Sequence, residues 1–335
     1  MKKKKTIILL IFLAMLAVLP KLITSNYIMQ IIDLSLVNFI VVMGLNFVTG
    51  FAGQISLAST AFWGIGAYTS AILTTTCGFS FWAALPVSGI VAMLGGILIG
   101  YPTLKLKKFY LGIATIGFGE IVSLIFLNWT TLTKGSEGIP GLSKPSIGAF
   151  KFTSNYNFYY VILIIALILL IASVLIKYSR FGRTLLAIRN DEIATETCGI
   201  NAHSSKMIAF SLSALYAGIA GSLYAHLIGF ISPDLFVFRQ SISFLCMFMI
   251  GGSGYIAGPA IGSFLITLLP EVIKFLQNYY MAIFGILVVI LAIAMPTGIV
   301  GLMEKHLPRL YRYIEPYAEV PEKGLERGNE KWRGK

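Results

Sequence analysis

The sequence predicts an all-α, polytopic membrane protein with about ten transmembrane helices. Three observations lead to this class: 57% of the 335 residues are apolar, only 12% are charged, and the mean hydropathy is +0.83. Soluble globular proteins carry about 25% charged residues. The apolar residues also form long runs, as expected of a chain that lies in a lipid bilayer.

Ten apolar runs are candidates for crossing the bilayer. A helix needs about 20 mostly apolar residues, each rising about 1.5 Å, to cross a hydrocarbon core of about 30 Å. The eighth run is short and ends in GGSG, so we expect a broken or half-crossing helix, which membranes tolerate only where protein or a cavity covers the backbone. The runs are 7–24, 28–49, 55–75, 82–101, 109–131, 157–177, 207–230, 238–251, 256–277 and 280–300.

The positions of Lys and Arg predict how these runs are oriented, because basic connections face the cytoplasm. MKKKK precedes the first run, PTLKLKK follows the fourth, the stretch 181–206 follows the sixth, and a basic tail follows the tenth. Even numbers of crossings separate these segments. The sequence therefore predicts that all four, and both chain termini, are cytoplasmic, while the segment 133–157 lies outside.

The chain divides into a transmembrane domain, 1–303, and a charged tail, 304–335. Few apolar residues follow Tyr317, so we expect the tail to be a cytoplasmic and largely disordered extension. The basic start and the apolar run after it also suit a signal peptide. No small-x-small cleavage site follows this run, and we therefore expect an uncleaved first span.

No motif for catalysis, metal binding or nucleic-acid binding is present. The sequence has no GxxxxGK[ST] phosphate loop and neither a GxSxG nor an HExxH motif, so we expect no ATPase site and no enzyme activity. Three histidines and three cysteines are scattered without metal-type spacing, which predicts no cofactor and free, buried thiols. The net charge of +12 lies in the basic connections and tail, where it indicates topology.

The stretch from Gly44 to Tyr68 is a glycine-rich break between two apolar runs. Two interpretations remain open: a hydrogen-bond network around a short turn, or a translocation path lined by irregular, solvated backbone, which we favour for part of the stretch. Other glycine-rich blocks, such as WGIGAYTSA and YAGIAGSLYA, predict close helix contacts. The polar side chains of the break are Asn46, Thr49, Gln54, Ser56, Ser59 and Thr60, of which Asn46, Gln54 and Ser56 are the path candidates.

Glu120 lies near the middle of the fifth run. An ionised carboxylate at the bilayer centre costs about 2.5 to 3.5 kcal/mol even on the insertion scale. Glu120 must therefore be neutral, be paired, or face a wet cavity, and it is a path candidate unless a polar partner on another helix satisfies it. Asp33 is less informative, because it is close enough to the end of its run to reach the membrane interface.

The polar stretch FGRTLLAIRNDEIATETCGINAHSSK, 181–206, predicts one amphipathic helix of about four turns that stops before Gly199. Such a helix either lies on the membrane surface or binds a protein. Three carboxylates within six residues would be repelled by anionic lipid, which favours a protein partner. The face predicted to be apolar carries Leu186, Ile193, Thr197 and Ile200.

Several blocks resemble the permeases of bacterial ABC importers for branched-chain amino acids, of the subunit type with the longer first block. The resemblance covers most of residues 30–303, in the same order, and leaves out the basic N-terminus and the tail. The matching blocks are GLNFVTGFAGQISLASTAFWGIGAYTSA, FYLGIATIGFGEI, LTKGSEGIPGL, SRFGRTLLAIRNDEIATETCGINAHSSKMIAFSLSALYAGIAGSLYAH and SISFLCMFMIGGSGYIAGPAIGSF.

The resemblance implies an ABC importer permease fold in the bacterial cell membrane. The implied partners are a second homologous permease subunit, two cytoplasmic ATP-binding subunits and an extracytoplasmic solute-binding protein, with the lipid membrane around them and no nucleic acid. The segment at about 182–200 resembles a variant of the EAA motif, whose helix docks in a groove of the ATPase. That motif places Glu six residues before Gly199, where this chain has Ile193, so the role of any one carboxylate is not carried over.

The resemblance also implies candidate residues on both sides of the membrane. The coupling candidates are Arg183, Arg189, Asp191, Glu192, Glu196 and Gly199. Outside, we expect the binding protein to dock on the segment that carries Lys134, Glu137 and Lys144, although loop flexibility alone would explain its composition. The predicted cargo is a branched-chain or related amino acid. Urea or a short amide is an alternative cargo, and an ATP-independent transporter or channel is an alternative of another class, which has no use for a docking helix.

Overall fold

The computed structural model describes residues 25–103, 108–147, 150–151, 155–273 and 298–306, with Pro20 and Gly285 as isolated positions. Helices dominate these residues, as predicted. The helices are α1 (Asn26–Leu45), α2 (Ser59–Thr75), α3 (Phe81–Thr103), α4 (Lys108–Asn128), α5 (Thr130–Thr133), α6 (Asn155–Tyr178), α7 (Arg180–Asn190), α8 (Glu192–Thr197), α9 (Ala202–Ile228), α10 (Phe238–Gly251), α11 (Gly258–Ile273) and α12 (Gly298–His306). The strands are β1 (Ile139–Pro140), β2 (Ser146–Ile147), β3 (Phe150–Lys151) and β4 (Phe230–Ile231).

Six segments of the described chain are long and apolar enough to cross a membrane, and they coincide with six of the predicted runs. Two more runs, 55–75 and 256–277, correspond to α2 and α11, which have 17 and 16 residues. The runs 7–24 and 280–300 lie almost wholly outside the described residues, as does most of the tail. A total of ten helices therefore stays a prediction. The six segments are Asn26–Phe51, Phe81–Thr103, Tyr110–Asn128, Tyr156–Tyr178, Ala202–Ile228 and Pro233–Gly251.

Helix α9 lies at the centre of the bundle and packs against α1, α2 and α3. Glycines allow the backbones to approach closely, as the glycine-rich blocks predict. A Cβ atom at Gly221 would lie 2.0 Å from the carbonyl oxygen of Trp63, and one at Gly66 would lie 2.1 Å from that of Gly218. In a membrane, where apolar burial does not drive association, such backbone contact is what holds helices together.

Helices α1 and α4 differ in how much of each is covered. In the most apolar 18-residue stretch of Asn26–Phe51, 89% of the residues are buried, compared with 28% in the corresponding stretch of α4. Helix α1 is therefore a core helix. Helix α4 keeps an open face, on which Ile113, Ile121 and Leu124 are each more than half exposed.

The predicted break after α1 is present. The helix continues as a π-helix, Asn46–Phe51, and the chain then runs without regular structure through 52–58 before α2 begins. Gly53 has a φ of 66°, in the left-handed region that favours glycine. Single π-turns in helices are frequent at functional sites. The break thus places irregular backbone inside the bundle.

The described connections contact one another in two groups, which match the two sides predicted from Lys and Arg. At the predicted cytoplasmic end, Arg189 donates a hydrogen bond to the Gly50 carbonyl, and the rings of Tyr101 and His203 lie 6.0 Å apart. At the opposite end, β1 pairs antiparallel with β4, and the rings of Phe81 and Phe158 lie 6.2 Å apart. We use the names coupling end and outer end for these two groups.

The cysteines depart from the prediction in one respect. All three are free, but Cys77 and Cys198 are exposed and Cys246 is only half-buried. Cys77 and Cys198 lie just after the ends of α2 and α8, where no other described helix covers them. The prediction of buried thiols was therefore wrong for these two positions.

Candidate coupling and translocation site

The polar stretch between the sixth and seventh runs folds as two helices, α7 and α8, which corrects the prediction of one helix over 182–200. Asp191 separates them, with an extended backbone at φ −150° and ψ 110°. Its carboxylate accepts a hydrogen bond from the Ala194 backbone N–H at 3.0 Å and so caps α8. As predicted, the helix ends before Gly199, which has a φ of 82°.

The break changes which side chains are buried. Leu185 and Ile188 of α7 and Thr195 of α8 are buried. Ile193, which one continuous helix would place on the apolar face, is instead 77% exposed. Glu196 of α8 is exposed as well. Helix α8 therefore presents an isoleucine and a carboxylate that no other described residue covers.

Arg189, at the end of α7, ties the coupling stretch to the break after α1. Its guanidinium donates a hydrogen bond to the carbonyl oxygen of Gly50, inside the π-helix. Its aliphatic stem lies against Gly53, where a Cβ atom would come within 2.9 Å of the Arg189 Cγ. A Cβ atom at Gly254 would come within 2.8 Å of Arg189 Nη1. Arg189 thus fills a space that two glycines, Gly53 and Gly254, leave open.

Asn46 joins the same break to the GGSG turn that follows α10. Its side-chain amide donates to the Tyr255 carbonyl at 2.9 Å and accepts from the Gly254 N–H at 3.1 Å. Lys177, in the last turn of α6, donates to the Gly254 carbonyl at 3.1 Å. The Tyr255 hydroxyl donates to Glu304 of α12 at 2.6 Å. One cluster therefore joins the ends of α1, α6, α7, α10 and α12. We call it the glycine clamp, and it consists of Asn46, Lys177, Arg189, Gly254, Tyr255 and Glu304.

Glu192 has a structural partner. It forms an ion pair with Lys206 of α9, a residue that is only 5% exposed, while the Glu192 side chain is 38% exposed. A buried lysine needs such a partner, because an uncompensated buried charge is strongly destabilising. Glu192 therefore fastens α8 to α9, whereas Arg183, Asp191 and Glu196 are exposed.

Two of the path candidates in the break hydrogen-bond to nearby backbone. The Gln54 amide donates to the Ala52 carbonyl at 3.4 Å, and the Ser56 hydroxyl accepts from the Ala58 N–H at 3.4 Å. Both residues are buried, as is Asn46. These bonds satisfy backbone that has left the helical pattern, as the hydrogen-bond interpretation of the stretch requires.

Glu120 lies elsewhere, on the open face of α4, and its side chain is exposed. It borders a small notch with room for about one water molecule, about 10 Å³. The notch lies between α4, the first turn of α2 and the start of α10. Its lining includes Thr60, Ile116, Glu120, Phe236, Phe238 and Ser241.

The three predicted docking residues of the outer segment separate into two groups. Lys134 and Glu137 are exposed and line an open depression of about 540 Å³ together with Thr130 and Ser136. Lys144 is half-buried and lies close enough to Asp33 for their charges to interact. Burial lowers the pKa of the Lys144 ammonium group, against the opposing effect of the Asp33 carboxylate. Only the first two residues therefore face away from the bundle.

Lys177 and Lys206 hold elements together, although their positions in the sequence predicted no role for them. Asp33 was expected near the membrane interface but is fully buried, beside Lys144. In the sequence, Lys206 marks only the end of the coupling stretch. A lysine next to an apolar run was the available signal, since it must either reach water or find a carboxylate. Among the described residues, no group of three or more His, Cys, Asp or Glu is placed to hold a metal ion.

Comparison with known proteins gives consistent matches. The family described as "Branched-chain amino acid transport system / permease component" matches residues 27–292. The chain is 33% identical over 321 residues to the high-affinity branched-chain amino acid transport system permease protein LivM of Escherichia coli, covering 89% of this chain and 76% of that protein. No solved structure matches.

Two further relatives are more distant. The high-affinity branched-chain amino acid transport system permease protein LivH of Salmonella typhimurium is 27% identical over 295 residues, covering 78% of this chain and 90% of LivH. The ribose import permease protein RbsC of Escherichia coli is 26% identical over 307 residues, covering 88% of this chain and 92% of RbsC. The similarity thus extends to permeases whose names state different cargoes.

Proposed function

This chain belongs to the family of branched-chain amino acid transport system permease components, and from this premise we propose that it is the membrane-spanning subunit of an ATP-driven importer. It is a multi-pass membrane protein and a transport subunit rather than an enzyme. In the proposal it moves branched-chain or related amino acids into the cell. It pairs with a second homologous permease, two cytoplasmic ATP-binding subunits and an extracytoplasmic solute-binding protein, with both of its termini cytoplasmic.

The relatives' names support this cargo. LivM and LivH are both named as branched-chain amino acid permeases, and the identity to LivM is 33%, compared with 26% to the ribose permease RbsC. Pairing with a second permease is supported by the open face of α4. A carboxylate at Glu120 makes that face unsuitable for lipid. In the proposal, the second permease covers it.

The observation that carries the coupling proposal is the arrangement of α7 and α8. Helix α8 presents Ile193 and Glu196, which no other described residue covers, while Arg189 joins α7 to the π-helix through Gly50. One end of the stretch is thus free to bind a partner, and the other is attached to the irregular backbone within the bundle. We assign the ATPase contact to α8 and the transmission of its movement to Arg189.

The mechanism follows from rigid-body movement. Closure of the ATP-binding subunits moves α8, and α7 moves with it because Asp191 alone separates the two helices. Glu192 then passes the movement to α9, and Arg189 passes it to the break after α1. The glycine clamp joins the ends of several spans, so the movement reaches all of them together. The space between the two permeases then opens to the cytoplasm instead of the outside.

Replacing Ile193 by Asp tests the ATPase contact. The residue is 77% exposed, so the change removes little packing within the chain. Loss of an apolar contact in a docking groove is expected to reduce ATP-driven uptake and substrate-stimulated ATP hydrolysis by about tenfold, which corresponds to about 1.4 kcal/mol of docking free energy. Both are measured on the complete importer in proteoliposomes, with the amount of inserted subunit determined by immunoblot.

The matched control is Lys305→Asp, which places an aspartate at another exposed position of the coupling end. This control is expected to keep more than half of the uptake. Wild-type stimulation of ATP hydrolysis in Ile193→Asp would contradict the assignment of α8. Uptake by the purified chain alone, without ATP, would instead support the transporter or channel alternative.

Charge reversal at Lys134 tests the outer docking surface. Lys134 and Glu137 line the open depression of the outer segment, where a binding protein would make rim contacts. Lys134→Glu is expected to raise the concentration of loaded binding protein needed for half-maximal uptake by about threefold or more at low salt, with less effect at high salt. The maximal rate is expected to change little, because the residue lies outside the spans.

Lys144→Gln is a useful contrast in the same segment. Because Lys144 lies beside the buried Asp33, this variant is expected to lower the amount of folded subunit rather than its apparent affinity for the binding protein. A Lys134→Glu variant that leaves the dependence on binding protein unchanged at low salt would rule out a docking role for the depression.

A further inference from the structure

The notch beside Glu120 combines features that packing alone does not explain. Glu120 lies within a membrane-crossing segment, on the open face of α4. A Cβ atom at Gly117 or Gly119 would meet nothing within 4 Å, so there is free space on either side of this turn. An exposed apolar face suits lipid, but a carboxylate in its middle does not. The carboxylate therefore needs a polar or cationic partner from outside the residues that the structure describes.

The second observation is a hydroxyl without a partner. Thr60 is only 2% exposed, and its Oγ1 atom makes no hydrogen bond within the described residues. Buried hydroxyls are normally satisfied, because leaving one unpaired is destabilising. Thr60 lines the same notch as Glu120. An unsatisfied hydroxyl at the wall of a small notch suggests that a ligand completes the site.

Ser241 supplies a third oxygen atom. Its hydroxyl accepts a hydrogen bond from the Thr60 backbone N–H at 3.4 Å, which holds the start of α10 against the first turn of α2. A hydroxyl has two acceptor positions, so Ser241 can still accept from a ligand. The notch thus offers a carboxylate and two hydroxyl oxygens, surrounded by the apolar side chains of Ile116, Phe236 and Phe238.

The size of the notch selects the group that enters it. Its volume of about 10 Å³ admits one group of the size of a water molecule. A primary ammonium group has this size and three N–H donors, one for each of the three oxygen-bearing groups of the notch. A carboxylate would be repelled by Glu120. The remainder of an amino acid is too large for the notch and would lie outside it, along the open apolar face of α4.

We propose that this notch binds the α-ammonium group of the transported amino acid as it passes between the two permeases. The proposal rests on the proposed function, and it adds that this chain itself recognises the amino group after release from the binding protein. Glu120 supplies the counter-charge, while Thr60 and Ser241 accept the remaining hydrogen bonds. The substrate side chain lies outside the notch, along the open apolar face of α4.

Binding is tested on the complete importer in nanodiscs without binding protein, by saturation-transfer NMR with three probes of similar size. Leucine and 3-methylbutylamine both carry the ammonium group and are expected to bind, whereas 4-methylpentanoate lacks it and is not. Glu120→Gln is expected to reduce leucine and amine binding by at least about tenfold, since it removes a charge-assisted hydrogen bond. Equal binding of 4-methylpentanoate and leucine to the wild type would overturn the proposal.

Thr60→Val keeps the test decisive if Glu120→Gln does not assemble. Its hydroxyl has no partner to lose, so the variant is expected to assemble as well as the wild type and to bind leucine about threefold or more weakly. Ser123→Ala, one turn from Glu120 and outside the notch lining, is the control and should bind like the wild type. Leucine binding to Thr60→Val within twofold of wild type would overturn the inference. Absence of ATP-driven leucine uptake by the wild-type importer would instead contradict the proposed function.

Discussion

Replacing Gly221 by Val is expected to abolish accumulation of folded subunit. A Cβ atom at Gly221 would lie 2.0 Å from the Trp63 carbonyl oxygen and 2.7 Å from the Ala67 nitrogen. Both are backbone atoms of α2 and cannot rotate away. The added side chain must therefore separate α9 from α2, which also breaks the contact of Gly66 with Gly218. Overpacking of this kind costs about 3 kcal/mol or more.

The measurement is the amount of monodisperse, protease-resistant subunit after detergent extraction, which is expected to fall below about a tenth of wild type because so large a loss exceeds the usual effect of single substitutions. Gly95→Ala is the matched control. A Cβ atom there lies 3.5 Å from its nearest neighbour, in ordinary contact, and alanine favours the helix by about 0.5–1 kcal/mol. If Gly221→Val accumulated like Gly95→Ala, the close packing of α2 on α9 would be wrong.

Replacing Arg189 by Gln is expected to uncouple ATP hydrolysis from uptake. The guanidinium bond to the Gly50 carbonyl is lost, and the space beside Gly53 and Gly254 is no longer filled. Helix α7 then moves without carrying the π-helix with it. We expect uptake to fall by about tenfold or more, as for the loss of a charged hydrogen bond that leaves its buried partner unpaired.

Hydrolysis and uptake are measured on the same proteoliposomes, so that their ratio reports coupling. Hydrolysis in the Arg189→Gln variant is expected to persist while uptake falls. Arg180→Gln makes the same chemical change at an exposed position of the same helix and is expected to retain coupling. Equal ratios in the two variants would show that the bond from Arg189 to Gly50 does not transmit the movement.

The break at Asp191 shows why local periodicity misplaced the apolar face of the coupling stretch. Leu186, Ile193 and Thr197 have helical spacing only if the helix is continuous. Asp191 adopts an extended backbone and caps a new helix, which turns Ile193 outward. An aspartate can cap a helix by accepting a hydrogen bond from the backbone N–H three residues later, and this can be predicted from sequence. A helix that continues through the aspartate is the competing structure. In the structure Leu185 and Ile188 before the break and Thr195 after it are buried.

Asp33 and Lys144 illustrate interactions between residues that are distant in sequence. The sequence does not indicate that the two residues interact, because Asp33 follows the start of α1 and Lys144 lies in the outer segment. Both were judged from their own surroundings, Asp33 as an interfacial residue and Lys144 as a docking residue. The folded chain brings their charges within interaction range. Pairing of this kind depends on tertiary packing and cannot be read from hydropathy.

Sequence alone determined the membrane class, six of the spans, the glycine-rich break and the grouping of connections at two ends. These features depend on local quantities: apolar length, the positions of basic residues and the absence of a glycine side chain. Tertiary structure decided which residues line the notch beside Glu120, which carbonyl Arg189 binds, and which lysine is paired with Glu192. Those properties arise only when helices from distant parts of the chain pack together, since hydrogen bonds and ion pairs require atoms within about 3–4 Å.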